Sequence, residues 1–359
     1  MKILIPDGHT GNVLAATRAL GKAGHTVILG APNDCRVWNS KYVETTVPIT
    51  SPTTSITGYV NTVNKAPGDI VMPFGHDMTT ATSLRKEDIE KPCPVPWYPR
   101  FEYGHDKERT LHRCRKLGIP IPMTGYPGPR SYPCIVKARK NCGIDKGLVY
   151  VNDKWELDEA LREMESRESN ELTDYRRPIV QEYVPGMIHD VVGMYQKGKR
   201  IAAVAQQRIE TQPLKGGPGV YNKTIRDAKL IHYSTRLLDS LGWHGPYQTE
   251  WIKDERDGEY RLVELNPKMW GTMELSIRAG INMPAIAAKI AADEKVTPVT
   301  DYRVGVKKFW PMSVLENLRT TPSFRRMAMT VWLPEWIDFH DPRPSIWDMG
   351  SVAKQMVAK

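Results

Sequence analysis

The chain opens on an apolar run, Lys2–Pro6, then a turn with Asp7, Gly8, Thr10 and Gly11, then an alanine- and leucine-rich stretch of helical spacing, Asn12–Ala23. A second apolar run, Thr26–Leu29, follows. Strand, glycine-containing turn, helix and strand make one βαβ unit. A further strand, Asp69–Met72, ends in Pro73-Phe74-Gly75-His76. Strands alternating with helices predict a parallel sheet, and the first ~100 residues read as one small α/β domain.

Beyond it the pattern changes. Lys91–Arg100 holds four prolines and reads as a linker. A helix starts near His105-Asp106-Lys107 with Asp106 as its N-cap, and stops at Gly118. Next come a strand (Cys134–Ala138), a glycine-containing loop (Asn141–Gly147), a strand (Leu148–Val151), a helix (Asp153–Glu165) and a strand (Pro178–Tyr183). His189–Gln196 and Arg200–Arg208 flank Lys197-Gly198 as a hairpin, Leu230–Leu241 is an amphipathic helix, two strands flank Asp254–Gly258, and a helix follows from Gly271.

Composition narrows the class. The chain has 359 residues, of which 40% are apolar and 25% charged, which excludes a disordered chain, a collagen and a disulfide scaffold. Its N-terminus turns polar too soon for a signal peptide, and no apolar run approaches the ~20 residues that cross a bilayer. Five widely spaced cysteines without a C-x-x-C fit free thiols in a reducing compartment, so a cytoplasmic protein is expected. The net charge of +9 is dispersed, with no basic tail. That suits an enzyme that binds polyanionic phosphates better than a nucleic-acid binder.

The second hairpin carries the most chemistry. Glu264 and Asn266 are two apart on a strand and project from one face. If the hairpin centres on Asp257, partners have residue numbers that sum to 514, which sets Glu250 opposite Glu264 and Gln248 opposite Asn266. Carboxylates facing each other at ~5 Å repel, and a divalent cation converts that repulsion into ligation. The alternative is a solvated surface hairpin, and a half-residue shift of its centre turns Glu250 to the opposite face.

The run Val263-Glu264-Leu265-Asn266-Pro267-Lys268-Met269-Trp270-Gly271-Thr272, continuing through Glu274-Leu275 to Ala279-Gly280, resembles the ATP-grasp superfamily, in particular its carbamoyl-phosphate-synthase-like carboxylate–amine ligases. That family usually has Glu-x-Asn-Pro-Arg and then Trp-Gly-Ser; here Lys268 and Thr272 stand in place of Arg and Ser. Lys268 keeps the charge but not the two-pronged grip of Arg. The likeness continues upstream in order. Asp106–Thr110 through Pro122 resembles the helix whose lysine, here Lys107, reaches the nucleotide, and Pro133–Lys137 the strand with the second ATP lysine. Asn141–Gly147, with Gly143 and Gly147, stands where the family has a glycine-rich loop over the phosphates. Val180–Gly186 resembles the hinge whose backbone, at Glu182 and Val184, meets adenine, with Asp190 at the acidic position near the ribose. Gln207-Arg208 and Lys215–Gly219 resemble the basic residue and glycine turn near the reacting groups.

The resemblance implies an α/β protein, α+β in its grasp portion: a Rossmann-like domain over 1–100, a small nucleotide lobe over 101–185, a large metal-binding lobe over 186–304, and a C-terminal extension over 305–359. It implies an ATP-dependent ligase that joins a small-molecule carboxylate to an amine through an acyl phosphate. Mg²⁺, or Mn²⁺ in its place, would be held by Glu250, Glu264 and Asn266. Arg208 and Lys268 would act at the reacting groups, and His9, Thr10, Phe74 and His76 are candidate substrate contacts. From the residues alone, His76 reads as a solvated histidine at a strand end. A homodimer is compatible with the family, and membrane or nucleic-acid partners are not expected. A second class is an ATP-binding regulatory or scaffold protein without turnover, and the glycine-containing first turn by itself would suit a nicotinamide oxidoreductase.

Overall fold

The first apolar runs pair as a parallel four-stranded sheet of β1 (Lys2–Ile5), β2 (Thr26–Gly30), β3 (Val43–Val47) and β4 (Ile70–Val71), in the order β3-β2-β1-β4. The structure, a computed structural model, describes residues 1–8, 11–30, 35–125, 131–140, 147–213, 216–332, 335, 337–348 and 350. Helices α1 (Val13–Lys22), α2 (Ile56–Lys65) and α3 (His76–Leu84) complete this part. The strand β3 and helix α2 have no clear signal in the chain. The strand is a half-exposed sheet edge, Val-Glu-Thr-Thr-Val, and the helix buries only Tyr59, Val60 and Val63 behind a Ser55 cap.

The proline-rich linker ends inside a helix. Here α4 (Tyr98–His105) begins with Pro99 in its first turn, where a missing N–H costs nothing. It runs into α5 (Lys107–Lys116), whose first amides at Glu108 and Arg109 donate to the Asp106 carboxylate at 3.0 and 3.4 Å, the expected cap. A small antiparallel sheet follows: β5 (Thr124–Gly125), β6 (Cys134–Lys137), β7 (Leu148–Val151) and β8 (Ile179–Glu182), in the order β5-β8-β6-β7, with α6 (Lys154–Glu165) packed on it.

The third sheet is the scaffold of the site. It comprises β9 (Gly186–Gln196), β10 (Lys199–Thr211), β11 (Gly219–Ile225), β12 (Gly245–Asp254), β13 (Tyr260–Asn266) and β14 (Lys307–Phe309), antiparallel in the order β13-β12-β9-β10-β11-β14. Lys197 and Gly198, both at positive φ (49° and 80°), close β9 onto β10 as the twist of a tight hairpin requires. Helix α7 (Ala228–Ser240) packs on one face of this sheet, α8 (Met273–Arg278) and α9 (Met283–Ala291) pack on the other together with α1, and α10 (Pro311–Thr320) and α11 (Phe324–Thr330) follow β14 in the chain. The helix expected from Gly271 begins two residues later, at Met273.

Alternation along the strands sorts the side chains. Ala205, Val191, Thr249 and Leu265 are in register across β10, β9, β12 and β13, and three of them share an apolar cluster with Leu230, Leu237 and Leu238 of α7. Thr249 meets α7 through a 2.8 Å hydroxyl contact with Ser234. The next residue on each strand, Gln206, Asp190, Glu250 and Glu264, points to the other face. Further along that face, Val192 and Val204 join Ile3, Ile5 and Leu20 of the parallel-sheet part and Met283 and Ile290 of α9 in one cluster. Each fully buried side chain of this kind contributes ~1.5–3 kcal/mol. The polar row thus lies beside a rigid apolar floor.

Candidate active site

The hairpin register matches the sequence reading. Glu250 pairs with Glu264 and Gln248 with Asn266, and a β-bulge after Glu250 then moves Trp251 opposite Leu262. Without register 248–250 the two carboxylates would not share a face. Asn266 Nδ2 donates to Glu250 Oε1 at 2.8 Å, which leaves Asn266 Oδ1 as an acceptor. Two carboxylates and an amide oxygen on one face are a fitting oxygen donor set for a hard cation that takes its other ligands from phosphate or water. Among the described residues, no three His, Cys, Asp or Glu side chains form a closed metal cage.

Next to this pair sits a saturated network. Arg208 Nε and Nη2 donate to the two Asp190 oxygens at 3.0 and 2.6 Å, Nη2 also reaches Glu250 Oε2 at 2.7 Å, and Nη1 donates to the Gly217 carbonyl at 2.7 Å. Gln206 and Gln248 complete Asp190 from either side at 3.2 and 3.0 Å, and Gln206 is itself held by Thr272 at 2.7 Å. This geometry corrects two expectations. Asp190 is fully buried and its carboxylate is spent on Arg208, so it is not placed to receive ribose hydroxyls. The Arg208 fork is spent on Asp190 and Glu250, so it is not open to a phosphoryl group; it neutralises and positions Glu250. Burial raises the Glu250 carboxyl above its ordinary value despite Arg208.

The other end of the row is cationic. Lys107, expected at the nucleotide, is buried and pairs with Glu264 at 3.1 Å. Lys137, at the end of β6, is 5% exposed and donates to Gln181 Oε1 at 2.8 Å. Burial pulls the Lys137 ammonium down to about 8, against the pull of Glu264. Burial works against Glu264 as well, but Lys107 and Lys137 outweigh it and hold this carboxyl below its usual value. Lys268 is half-buried and has no hydrogen-bond partner among the described residues; burial lowers it while Glu250, Glu264 and Asp7 oppose. It thus stands between the carboxylate pair and the parallel-sheet part.

The remaining expectations fall into place unevenly. The Glu182 amide is taken by the Met123 carbonyl at 2.9 Å and its side chain accepts from Met123 N at 3.0 Å, whereas the Val184 amide has no partner among the described residues. Gly147 is buried and its carbonyl accepts from Ala138 N at 2.8 Å. Gly143, with the rest of 141–146, and His9, Thr10 and Lys215 lie outside the described residues. His76 is not a solvated strand-end histidine: it opens α3 and stacks on buried His105 at 5.0 Å, and burial pulls it well below its ordinary value. Phe74 is buried, and its amide donates to Asp7. Gln181 and Gln206 carry no role in the sequence pattern, whereas Thr272, in place of the motif's Ser, is the residue that holds Gln206. For Gln206 the signal was its spacing of two from Arg208 on one strand.

Residues 175–311 match the profile of a family described as ATP-grasp in the biosynthetic pathway with Ter operon. Among curated proteins, none matches the chain by sequence. Solved structures share the fold at low identity. The L-amino acid ligase from Bacillus licheniformis is 18% identical, with a TM-score of 0.61 over 82% of this chain and 74% of that one. N5-carboxyaminoimidazole synthetase from Staphylococcus aureus is 13% identical, with a TM-score of 0.64 over 89% and 84%. The biotin carboxylase domain of Hydrogenobacter thermophilus 2-oxoglutarate carboxylase, solved with MgADP, ADP and bicarbonate, is 14% identical, with a TM-score of 0.66 over 85% and 73%. A parallel α/β sheet, a small antiparallel sheet and a large one that carries the carboxylates give this chain an ATP-grasp fold, and its residues 175–311 match an ATP-grasp family profile.

Proposed function

We propose that the chain is an ATP-dependent carbon–nitrogen ligase that joins a small carboxylate to an amine through an acyl phosphate. The observation that carries this reading is the meeting of Lys107 and Lys137, from the small lobe, with Glu250, Glu264 and Asn266 of the large one. Two buried lysines with one carboxylate, Glu264, between them suit a polyphosphate, and the oxygen donors beside them suit a divalent ion. The similar folds of an amino acid ligase and of a biotin carboxylase domain solved with MgADP support the same reading.

In this scheme the nucleotide lies between the small and large sheets, with adenine at the Glu182–Val184 backbone and the phosphates at Lys107 and Lys137. Mg²⁺ or Mn²⁺, when bound by Glu250, Glu264 and Asn266, supplies charge neutralisation to the phosphate oxygens. Attack of the carboxylate oxygen on the γ-phosphorus breaks the bond to the β-phosphate oxygen and releases ADP. Attack of the amine on the acyl carbon then forms the C–N bond, expels phosphate and frees a proton. Lys268, between the carboxylate pair and the parallel-sheet part, is placed to offset charge on the acyl phosphate. Arg208 opposes the effect of burial on Glu250 and aligns it. Most of the barrier is lowered by such positioning and electrostatics.

The test is ADP release with Mg-ATP across panels of amino acids and small carboxylates. Glu264→Ala should abolish turnover, a loss of ~10³-fold or more if the ion is misplaced. Turnover at the unsubstituted rate would end the assignment. Tight nucleotide binding with no ADP release on any panel would instead favour the regulatory reading.

A further inference from the structure

A cavity of about 410 Å³ lies between α1, the turn at Arg36–Asn39, α8, the β14 end and the C-terminal residues Glu335, Ile337–His340 and Asp348. That is the size of a small-molecule site. It borders the site described above: Gly271 lines it, and the next residue, Thr272, holds Gln206.

Most charges in its wall are satisfied. Arg278 donates to Glu274 at 3.0 and 2.8 Å and to Glu335 at 2.8 Å, and Lys308 donates to Glu335 at 2.6 Å. Arg18 is bound by Asp341, whose carboxylate and carbonyl accept at 2.9 and 2.7 Å. Arg36 is different. Its Nε is 3.0 Å from Asp348 Oδ2 but out of hydrogen-bond alignment, and among the described residues its guanidinium makes no hydrogen bond. Its Nε is shielded from water, and burial pulls the group below its ordinary value although Asp348 opposes. A guanidinium carries five N–H donors in a planar fork. Of these only Nε, the donor facing Asp348, is shielded; the side chain is 38% exposed, so its outer donors line the cavity unpaired among the described residues and open to a ligand. The wall also offers Ile277, Trp310, Met312 and Ile337, an apolar surface that a bare inorganic anion would not use.

We propose that this cavity binds a small organic carboxylate with an apolar body, the carboxylate gripped by the Arg36 fork and the body lying on Ile277, Trp310 and Ile337. A planar carboxylate is the acceptor that fits the fork in two parallel hydrogen bonds. The inference rests on the ligase reading at one point only, that the bound acid is one of the two compounds joined. Binding itself requires no nucleotide.

The experiment is calorimetric titration of the full chain, without nucleotide, with L-phenylalanine, 3-phenylpropionate and 2-phenylethylamine. The two acids should bind and the amine should not; the tighter acid tells whether the site takes amino acids or simple acids. Arg36→Met should weaken acid binding ~10- to 100-fold, the worth of charge-assisted hydrogen bonds. Arg36→Lys should restore only part of it, because the fork is lost. Ile277→Trp, which fills the cavity without touching a charge, should also weaken binding, and guards against a folding defect at Arg36; thermal midpoints report on both variants. Equal affinity in Arg36→Met and the parent chain, a preference for the amine, or no binding by either acid would overturn the proposal. A chain that binds the acids but never releases ADP would leave this site standing and remove the ligase reading instead.

Discussion

At the β10 end of the polar row, Asp190 accepts hydrogen bonds from Arg208, Gln206 and Gln248, and Arg208 goes on to hold Glu250 and the Gly217 carbonyl. At the β13 end, Lys107, Lys137 and Lys268 crowd around Glu264, and Lys137 has only a neutral amide for a hydrogen bond. The first cluster is complete without ligand. The second carries more positive charge than its carboxylate can match, and its strain is electrostatic. The difference separates what builds the site from what waits for a polyanion: closed networks hold geometry, and open ones hold affinity.

The largest way to break this contrast is Asp190→Ala. It leaves the Arg208 guanidinium buried with Glu250 as its one carboxylate, and removing one member of a buried pair costs ~3–5 kcal/mol. Urea unfolding should show that loss, with nucleotide affinity falling only as far as Glu250 moves. A stability loss below ~1 kcal/mol would mean that the Asp190 cluster is not the structural half of the site.

Lys137→Met tests the opposite half. Losing a buried ammonium that lacks a carboxylate should leave stability equal or higher, while ADP affinity drops ~10- to 150-fold, the equivalent of ~1.5–3 kcal/mol for a charge-assisted contact. The pH profile gives a second readout. The native Lys137 loses its proton at about 8 and the unfolded one at its ordinary 10.5, so between these values the unfolded chain holds more protons. Stability from this group therefore rises with pH across that window, at up to ~1.4 kcal/mol per unit, and its full cost is present below it. Lys137→Met should be more stable than the parent near neutral pH, with the gap closing toward pH 10.5. A gap that stays constant with pH would show that Lys137 is not desolvated in solution.

The two halves were not equally legible in the chain. The Glu250–Glu264 pairing could be read because both strands and the short turn are contiguous, and charges at a spacing of two betray one face. Lys137 stood out as a lysine after Ile135-Val136 in an apolar strand. The Asp190–Arg208 pair could not be read. Both residues were visible, but their alignment depends on a register shift between Arg200 and Ala202, which no residue type announces. Gln181, which meets Lys137 diagonally across β8 and β6, needed the strand order of a sheet assembled out of sequence. The burial of His76 comes from α4, which starts within a stretch whose prolines point to a linker, so nothing local in the chain shows it. Contacts local in sequence follow from periodicity; contacts set by docking of separate elements do not.

The smallest effect concerns the hinge, where main chain rather than side chain is expected to meet adenine. Glu182 uses Oε1 to accept from the Met123 amide, and its Oε2 is 3.5 Å from Arg256, whose side chain is half exposed. Glu182→Gln keeps an acceptor for Met123 and discards only that rim pair, which is worth ~0.5 kcal/mol or less at an exposed site. The Val184 amide, which has no partner among the described residues, is untouched. ADP affinity by titration calorimetry should therefore change less than ~2-fold, the equivalent of about 0.4 kcal/mol. A tenfold loss would place the Glu182 carboxylate itself on the nucleotide and would move this residue from the closed half of the molecule, where side chains only brace one another, into the open half.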